Sequence, residues 1–222
     1  MPPMPTIAEW HIVLSGFLQR AGDVNGVVLI WDELRRLVHG RPDAVAQLHS
    51  WNANLTDLAE LIARTRPSEE MPRVHIYGYS WGGQSAVNLA RELGRRGIPV
   101  DRLVLSDAVY RHWYQLGWWR AFVPWRKIRV PDTVRRVTHF RQQQSLPMGH
   151  PVQAENPGLT TVDPVVLLRV DHMWMDDAVE FRRACLEAAK GSAADDFYVS
   201  NCSAVESGIS VEWPRSESPA TG

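Results

Sequence analysis

Residues 74–83 read VHIYGYSWGG, and they decide the fold of this chain of 222 residues. The stretch begins with a short apolar run, which predicts a buried strand. It continues into residues 84–93, whose apolar side chains recur at helical spacing, and Gly94 favours the end of that helix. Between the two elements the sequence follows the pattern Gly-x-Ser-x-Gly, so it predicts a sharp turn from strand to helix with Ser80 at its apex.

The residue types of this turn indicate acyl-transfer chemistry. Gly78 and Gly82 remove the β-carbons that would collide across a tight turn, and the hydroxyl of Ser80 is then held clear of the sheet edge. The amide of Trp81 faces the same space from a helix N-terminus, where N–H groups stabilise an anion. We therefore interpret Ser80 as a nucleophile, and the alternative is a glycine-rich turn with an incidental serine.

The composition is that of a globular protein with a polar end. Hydrophobic residues make up 45% and charged residues 22% of the chain, and the net charge is −1. This sequence predicts one domain over residues 1–190 and a polar, flexible tail over residues 191–222. With a pI near 6.7, the chain lacks the excess of positive charge that is typical of nucleic-acid-binding proteins. We expect no membrane span, no secretory signal and a cytoplasmic location, and the oligomeric state is left open.

Strand and helix patterns alternate along the first 190 residues. Strands are expected at residues 10–14, 44–48, 74–77, 102–106, 133–142 and 165–170, and helices at residues 27–37, 55–62, 84–93 and 179–189. Residues 110–131 and 145–163 lack a regular pattern. Buried strands joined by helices predict an α/β fold, with a doubly wound, mostly parallel sheet of about six strands.

Four residues that could take part in catalysis lie at the ends of predicted strands. They are Gly16, Ser80, Asp107 and His172. Functional residues of such sheets gather at the carboxyl ends of the strands. We therefore expect these four to lie at one edge of one sheet.

These features resemble the α/β-hydrolase superfamily in its small form without a cap domain. The resemblance covers about residues 8–190 and depends on the turn at 78–82, on the strand-terminal Asp107 and on the late His172. It implies that Ser80 attacks an acyl carbon, His172 transfers the proton and Asp107 orients the imidazole. The chain departs from the family in lacking the two leading antiparallel strands. Its acid also lies one strand earlier than in most members, as in some lipases.

Other residues compete for two of these roles. Glu155 and Asp163 are the alternative acids, and His150 is the alternative base. The superfamily base follows the last strand, which favours His172 over His150. The remaining strand histidines, His11, His75 and His139, are expected to be buried.

The loop after the first strand resembles the glycine-containing turn that provides the second oxyanion donor in this superfamily. Gly16 permits a close backbone approach there, and the amide of Phe17 is the expected donor beside that of Trp81.

Aromatic residues provide the candidate substrate contacts. They are Tyr79, Trp113, Trp118 and Trp119. The tryptophans lie in an irregular segment that borders the site in this fold, and the alternative is that they pack in the core. The same segment carries five basic residues that are alternative contacts for an anionic substrate or partner: Arg111, Arg120, Arg126, Lys127 and Arg129.

The sequence thus predicts a serine hydrolase that cleaves small carboxylic esters or thioesters through an acyl-enzyme. No motif indicates a cofactor or a metal, and we expect neither. The alternatives are a catalytically inactive binding module with a hydrolase fold, and a peptidase or amidase that uses the same nucleophile.

Overall fold

A computed structural model describes residues 5–17, 19, 23–68, 70–110 and 126–191 of the chain. The expected contacts of Trp113, Trp118 and Trp119 lie outside these residues. The polar tail lies outside them as well, apart from Gly191. Both expectations stay predictions.

The order of elements follows the predicted alternation of strands and helices. The strands are β1 (Glu9–Leu14), β2 (Ala44–His49), β3 (Arg73–Tyr79), β4 (Val100–Ser106), β5 (Ile128–Val130), β6 (Val134–Gln142), β7 (Val152–Ala154), β8 (Thr161–Val162) and β9 (Val166–Leu168). The helices are α1 (Gly26–Leu37), α2 (Leu55–Thr65), α3 (Trp81–Gly94) and α4 (Val179–Lys190).

The main sheet is parallel throughout, with the strand order β2-β1-β3-β4-β6-β8. Strand β9 also pairs with β6, beyond the two residues that β8 occupies. The sheet is therefore six positions wide, with its last position shared by two short strands. This arrangement confirms the predicted α/β class and the mostly parallel, doubly wound sheet.

A second, two-stranded sheet pairs β5 with β7 in parallel. The sequence did not predict it, since both strands lie in segments that lack a regular pattern. Each contains three residues, which is too few for an alternation of apolar and polar side chains to be recognised.

Helices cover the two faces of the main sheet in pairs. Helix α2 packs against α3, and α1 packs against α4. The central strands β1, β3 and β4 are largely buried, and Ile12, Ile76 and Leu103 on them are completely inaccessible to solvent. The described helices are all too short or too polar to cross a membrane.

Candidate active site

Ser80 has the strained backbone that the turn requires. Its φ of 52° and ψ of −121° lie in a region that residues with a side chain rarely adopt. The amide of Ser80 donates to the carbonyl of Ser106 at 3.0 Å, and its own carbonyl accepts from the amide of Val109 at 2.9 Å. The end of β4 and the loop after it therefore hold the turn in place.

Glycine is required at both flanking positions because the backbone approaches too closely for a side chain. A β-carbon on Gly82 would lie 2.2 Å from the carbonyl oxygen of Leu14, at the end of β1. A β-carbon on Gly78 would lie 2.8 Å from the carbonyl oxygen of Gly82. Helix α3 can thus begin directly after Ser80, as the sequence predicted.

His172 lies within hydrogen-bonding distance of Ser80. It opens a single 3₁₀ turn shortly after β9, and its Nε2 is 2.9 Å from the Oγ of Ser80. The backbone of His172 is held on both sides: its amide donates to the Oγ of Ser145 at 2.8 Å, and its carbonyl accepts from the hydroxyl of Tyr79 at 2.7 Å. The imidazole is 5% exposed, so its orientation is fixed by neighbours rather than by solvent.

Tyr79 packs behind this imidazole. The two rings stack with centroids 5.4 Å apart, and Tyr79 is 3% exposed. Burial raises the pKa of the Tyr79 hydroxyl, with the carboxylates of Asp176, Asp107 and Asp177 acting in the same direction. The hydroxyl therefore stays protonated and keeps donating to His172. The substrate contact expected of Tyr79 stays a prediction.

Asp107 lies on the other side of the imidazole and is completely buried. Its Oδ2 is 2.6 Å from the Nδ1 of His172 and accepts a second hydrogen bond from the Nε2 of Gln142 at 3.0 Å. Its Oδ1 accepts from the amides of Gly149 at 2.9 Å and Gln142 at 3.1 Å. Four donors thus fix the carboxylate in the orientation that presents Oδ2 to the imidazole.

Gln142, the last residue of β6, was missed by the sequence reasoning. It is completely buried, and its Nε2 lies 3.0 Å from Asp107 and 2.8 Å from the carbonyl of Ser145. Its Oε1 accepts from the amides of Gln144 and Ser145 at 2.6 and 2.9 Å. The Gln142 side chain therefore connects Asp107 with Ser145, and the hydroxyl of Ser145 accepts from the amide of His172.

Gly149 was missed as well, although glycine is required there. A β-carbon on Gly149 would lie 2.3 Å from the Oδ1 of Asp107. The sequence offers a weak signal in the Pro147-Met148-Gly149-His150-Pro151 stretch, where a glycine between prolines marks a constrained loop.

The alternative acids and the alternative base have other partners. Glu155 pairs with Arg91 at 2.8 Å. Asp163 accepts from the guanidinium of Arg136 at 2.8 Å and from the hydroxyl of Thr138 at 2.6 Å. The Nδ1 of His150 accepts from the amide of Tyr110 at 3.0 Å. Ser80, His172 and Asp107 are the set that the structure brings together.

The loop after β1 lies directly against the turn at Ser80. A β-carbon on Gly16 would lie 2.8 Å from the ring of Tyr79 and 3.2 Å from the β-carbon of Ser80. Gln19 accepts from the amide of Gly16 at 2.9 Å and donates to Asp176 at 2.6 Å. The loop is thus held beside Ser80, while the donor roles expected of the Phe17 and Trp81 amides stay predictions.

Three aromatic side chains cluster at this position. The ring centroids of Phe17 and Trp81 are 4.4 Å apart, those of Trp51 and Trp81 5.0 Å, and those of Phe17 and Trp51 5.6 Å. All three residues are partly exposed. Since Trp81 follows Ser80 directly, the cluster forms an apolar surface beside the nucleophile. Trp51 was not singled out from the sequence, because nothing in its loop shows which side chains turn toward the site.

The strand histidines His11, His75 and His139 are buried, as predicted. His11 and His75 stack with centroids 5.0 Å apart and, with Glu9, place their ligand atoms within 4.8 Å of one another. This donor set is of a type that zinc accepts. A metal cation is disfavoured there, because the guanidiniums of Arg41 and Arg73 already neutralise the Glu9 carboxylate.

The buried histidines have depressed pKa values. Burial lowers the pKa of His75 to about 3, with further lowering by His11 and opposition from Glu9. Burial lowers the pKa of His139 to about 4, with Arg141 adding to the effect and Asp163 opposing it. Arg73 and Arg102 also face His75 and favour its neutral form. Both imidazoles therefore stay neutral in the folded protein at pH 5.

We expect the folded protein to lose stability on acidification from pH 6.5. The folded-state pKa of each histidine lies below the ordinary value of 6.5, so the unfolded chain takes up the proton first as the pH falls. Each group should then cost about 1.2 kcal/mol of unfolding free energy between pH 6 and pH 5. Urea midpoints measured at pH 7, 6 and 5 test this expectation.

His75→Phe is the informative variant, because neither ring nitrogen of His75 has a hydrogen-bond partner among the described residues. The slope of stability against pH should fall in this variant and stay unchanged in His39→Gln, which alters an exposed histidine. An equal slope in wild type and His75→Phe would show that this histidine does not titrate on unfolding as we expect.

Known proteins give two kinds of similarity. A family model described as a thioesterase domain matches residues 35–121, which include Ser80 and Asp107 but not His172. No match was found among proteins with curated descriptions. The family match supports a hydrolase that acts on thioesters or esters.

Similar solved structures include the type II thioesterase BorB from the borrelidin biosynthetic cluster. It has 13% sequence identity and a TM-score of 0.45, and the similarity covers 85% of this chain and 95% of that chain. The NocB thioesterase domain from the nocardicin cluster has 13% identity and a TM-score of 0.41, with 84% and 96% covered. The Vlm2 thioesterase domain has 16% identity and a TM-score of 0.39, with 83% and 92% covered.

Proposed function

We propose that this chain, a member of the α/β-hydrolase superfamily, hydrolyses acyl thioesters through a covalent acyl-enzyme on Ser80. One observation carries the proposal: Ser80, His172 and Asp107 form a continuous hydrogen-bonded line, with 2.9 Å between Oγ and Nε2 and 2.6 Å between Nδ1 and Oδ2. These distances are within the range required for proton transfer from a nucleophile to a general base.

The first half of the reaction forms the acyl-enzyme. The Oγ of Ser80 attacks the acyl carbon while its proton passes to the Nε2 of His172. The negative charge that develops on the acyl oxygen is stabilised by the amides of Trp81 and Phe17, and Asp107 stabilises the imidazolium. When the carbon–sulfur bond breaks, His172 returns the proton to the departing thiolate.

The second half releases the acid. Water takes the place of the thiol, His172 removes one of its protons, and the resulting hydroxide attacks the acyl carbon. As the bond to Ser80 breaks, His172 protonates the Oγ and the free enzyme is restored. Apart from water, the cycle consumes no co-reactant.

The thioester is favoured over the oxygen ester by the family model that matches residues 35–121. We propose that the acyl group is carried on a small thiol or on a carrier. A binding module without activity is disfavoured, because such a module needs no strained serine aligned with a buried His–Asp pair. A peptidase or amidase would need the same three residues.

A fluorophosphonate probe tests the proposal directly. It should phosphonylate Ser80, which a mass spectrum of the proteolytic peptide spanning Val74 to Arg91 would locate. Folded protein that remains unlabelled, or that is labelled at another serine, would remove Ser80 as the nucleophile.

Trp51→Ala should reduce activity most for long acyl chains. If the cluster of Phe17, Trp51 and Trp81 binds the acyl group, truncation removes apolar contact at about 25 cal/mol per Å². A loss of about 50 Å² of contact would then lower kcat/KM about eightfold for a long chain, while an acetyl thioester would change little. The measurement is kcat/KM across thioesters of increasing acyl length.

Trp31→Ala is the matched control, since Trp31 lies on α1 and donates to the carbonyl of Ala46 away from Ser80. It should affect thermal stability without any dependence on acyl length. If Trp51→Ala lowers kcat/KM equally for short and long acyl chains, Trp51 supports the fold and does not bind the acyl group.

A further inference from the structure

A cavity of about 470 Å³ runs along α3. The described residues that line it are Gln84, Arg91, Tyr110, Arg126, Lys127, Arg129 and Glu155. Four of them are cations and one is a carboxylate, so the lining carries an excess of three positive charges in a chain whose net charge is −1. Such a cavity attracts an anion.

The carboxylate of this cavity is already bound. Glu155 pairs with Arg91 at 2.8 Å, and this hydrogen bond lowers the pKa of the Glu155 carboxyl. Arg126, Lys127 and Arg129 are exposed, and they form no ion pair within 4.0 Å among the described residues. Among the described residues, these three side chains thus have no carboxylate within ion-pair distance, and Arg129 acts on Glu155 only through its charge, which also lowers the pKa of that carboxyl.

Gln84 supplies a second, independent feature of the cavity. It is 7% exposed, and its Nε2 donates to Asn88 at 3.1 Å. Its Oε1 is buried without a hydrogen-bond partner among the described residues. A buried carbonyl oxygen in this state calls for a donor. The ligand should therefore present an N–H or O–H group at this position.

The cavity begins beside the nucleophile and ends far from it. Gln84 is one helical turn beyond Ser80, and Tyr110 follows Val109, whose amide binds the carbonyl of Ser80. Arg91 is eleven residues beyond Ser80, which is about 16 Å along the helix axis. Arg91 donates to the carbonyl of Arg129 at 3.2 Å, so Arg129 lies at this far end of the cavity, remote from the reacting carbon.

The cavity and the aromatic cluster lie on opposite sides of Ser80. Phe17 and Trp51 come from the loops after β1 and β2, whereas the cavity is built from α3, the segment after β4, β5 and the residue after β7. In the strand order, β1 and β2 lie on one side of β3, and β4 lies on the other. If the acyl chain binds against the aromatic cluster, the thiol part of the substrate can occupy the cavity.

We propose that this cavity binds the leaving-group arm of the thioester, and that this arm carries an amide or hydroxyl donor near the sulfur and a phosphate at its far end. The proposal rests on the proposed thioester hydrolysis. Gln84 receives the donor, and Arg126, Lys127 and Arg129 bind the phosphate, which arginine and lysine recognise through charge-assisted hydrogen bonds.

Two thioesters of the same acyl group test the proposal. The coenzyme A thioester has amides and phosphates on its thiol, and the N-acetylcysteamine thioester has an amide but no phosphate. In Lys127→Gln/Arg129→Gln, the ratio of kcat/KM for the first to kcat/KM for the second should fall about tenfold, through the KM of the coenzyme A thioester. The control is Arg66→Gln, an exposed arginine after α2, which should keep the wild-type ratio.

Added salt provides a second measurement on the wild type. Because exposed charges are screened over about 10 Å at 0.1 M ionic strength, NaCl should raise the KM of the coenzyme A thioester more than that of the N-acetylcysteamine thioester. Equal responses of the two substrates to salt and to the double variant would overturn the phosphate assignment.

A binding measurement separates this proposal from the proposed function. Calorimetry should detect coenzyme A binding to Ser80→Ala and about tenfold weaker binding when Lys127→Gln/Arg129→Gln is added. If coenzyme A binds in this way but no thioester is hydrolysed by the wild type, the proposed function fails and the cavity assignment stands. If thioesters are hydrolysed but coenzyme A binding does not depend on Lys127 and Arg129, the cavity assignment fails alone.

Discussion

Ser80→Ala is expected to lower kcat/KM for thioesters by more than about 10⁴-fold, because it removes the hydroxyl that we propose forms the acyl-enzyme. The fold should be unchanged. Alanine and serine have the same β-carbon, so the strained φ of 52° costs both residues alike. The measurements are initial rates with a thioester substrate and a thermal melt of each protein.

Ser68→Ala is the control for this variant, since Ser68 is an exposed serine after α2. It should keep both wild-type activity and fluorophosphonate labelling. Turnover that survives in Ser80→Ala with an unchanged melt would place the chemistry elsewhere in the chain.

Asp107→Asn is expected to lower kcat by up to about 10⁴-fold. An asparagine that presents its NH₂ group to Nδ1 favours the imidazole tautomer that cannot accept the proton from Ser80, as in the serine-protease triad. Its amide also has a donor where Asp107 has only acceptors, and four donors converge on that carboxylate. Some loss of stability should accompany the loss of activity, so kcat must be measured well below the melting temperature of the variant.

Asp163→Asn is the matched change at an alternative acid. Asp163 binds Arg136 and Thr138, and its replacement should reduce stability while kcat stays within a few-fold of wild type. A larger fall in kcat for Asp163→Asn than for Asp107→Asn would reverse the assignment of the acid.

Sequence reasoning recovered the features that depend on local pattern. The turn at Ser80 was recognisable because a buried strand, two glycines and an amphipathic helix occur consecutively around it. Asp107 and His172 were identified because each follows a strand of a parallel sheet, and strand ends of such a sheet share one edge. The sheet itself followed from the alternation of apolar strands with helices.

The features that were missed depend on contacts between distant residues. Gln142 binds Asp107 across 35 residues of sequence, and Gly149 approaches the same carboxylate across 42. Neither contact leaves a periodic signal. The side chain of Trp51 was missed for a related reason, since a loop without regular structure gives no rule for the direction of its side chains.

The hydrogen bonds that Gln142 forms with Asp107 and Ser145 constrain which substitutions this protein can accept. Gln142 touches Asp107 and both polar backbone atoms of Ser145, and Ser145 in turn accepts from the amide of His172. Substitutions at these positions are therefore epistatic: a change tolerated at residue 145 depends on the residue at 142, and their effects on activity do not add. Without the carboxylate of Asp107, the Nε2 of Gln142 would keep only its backbone acceptors at Ser145 and Pro147. We therefore expect changes at residue 107, 142 or 145 to be tolerated only in combination.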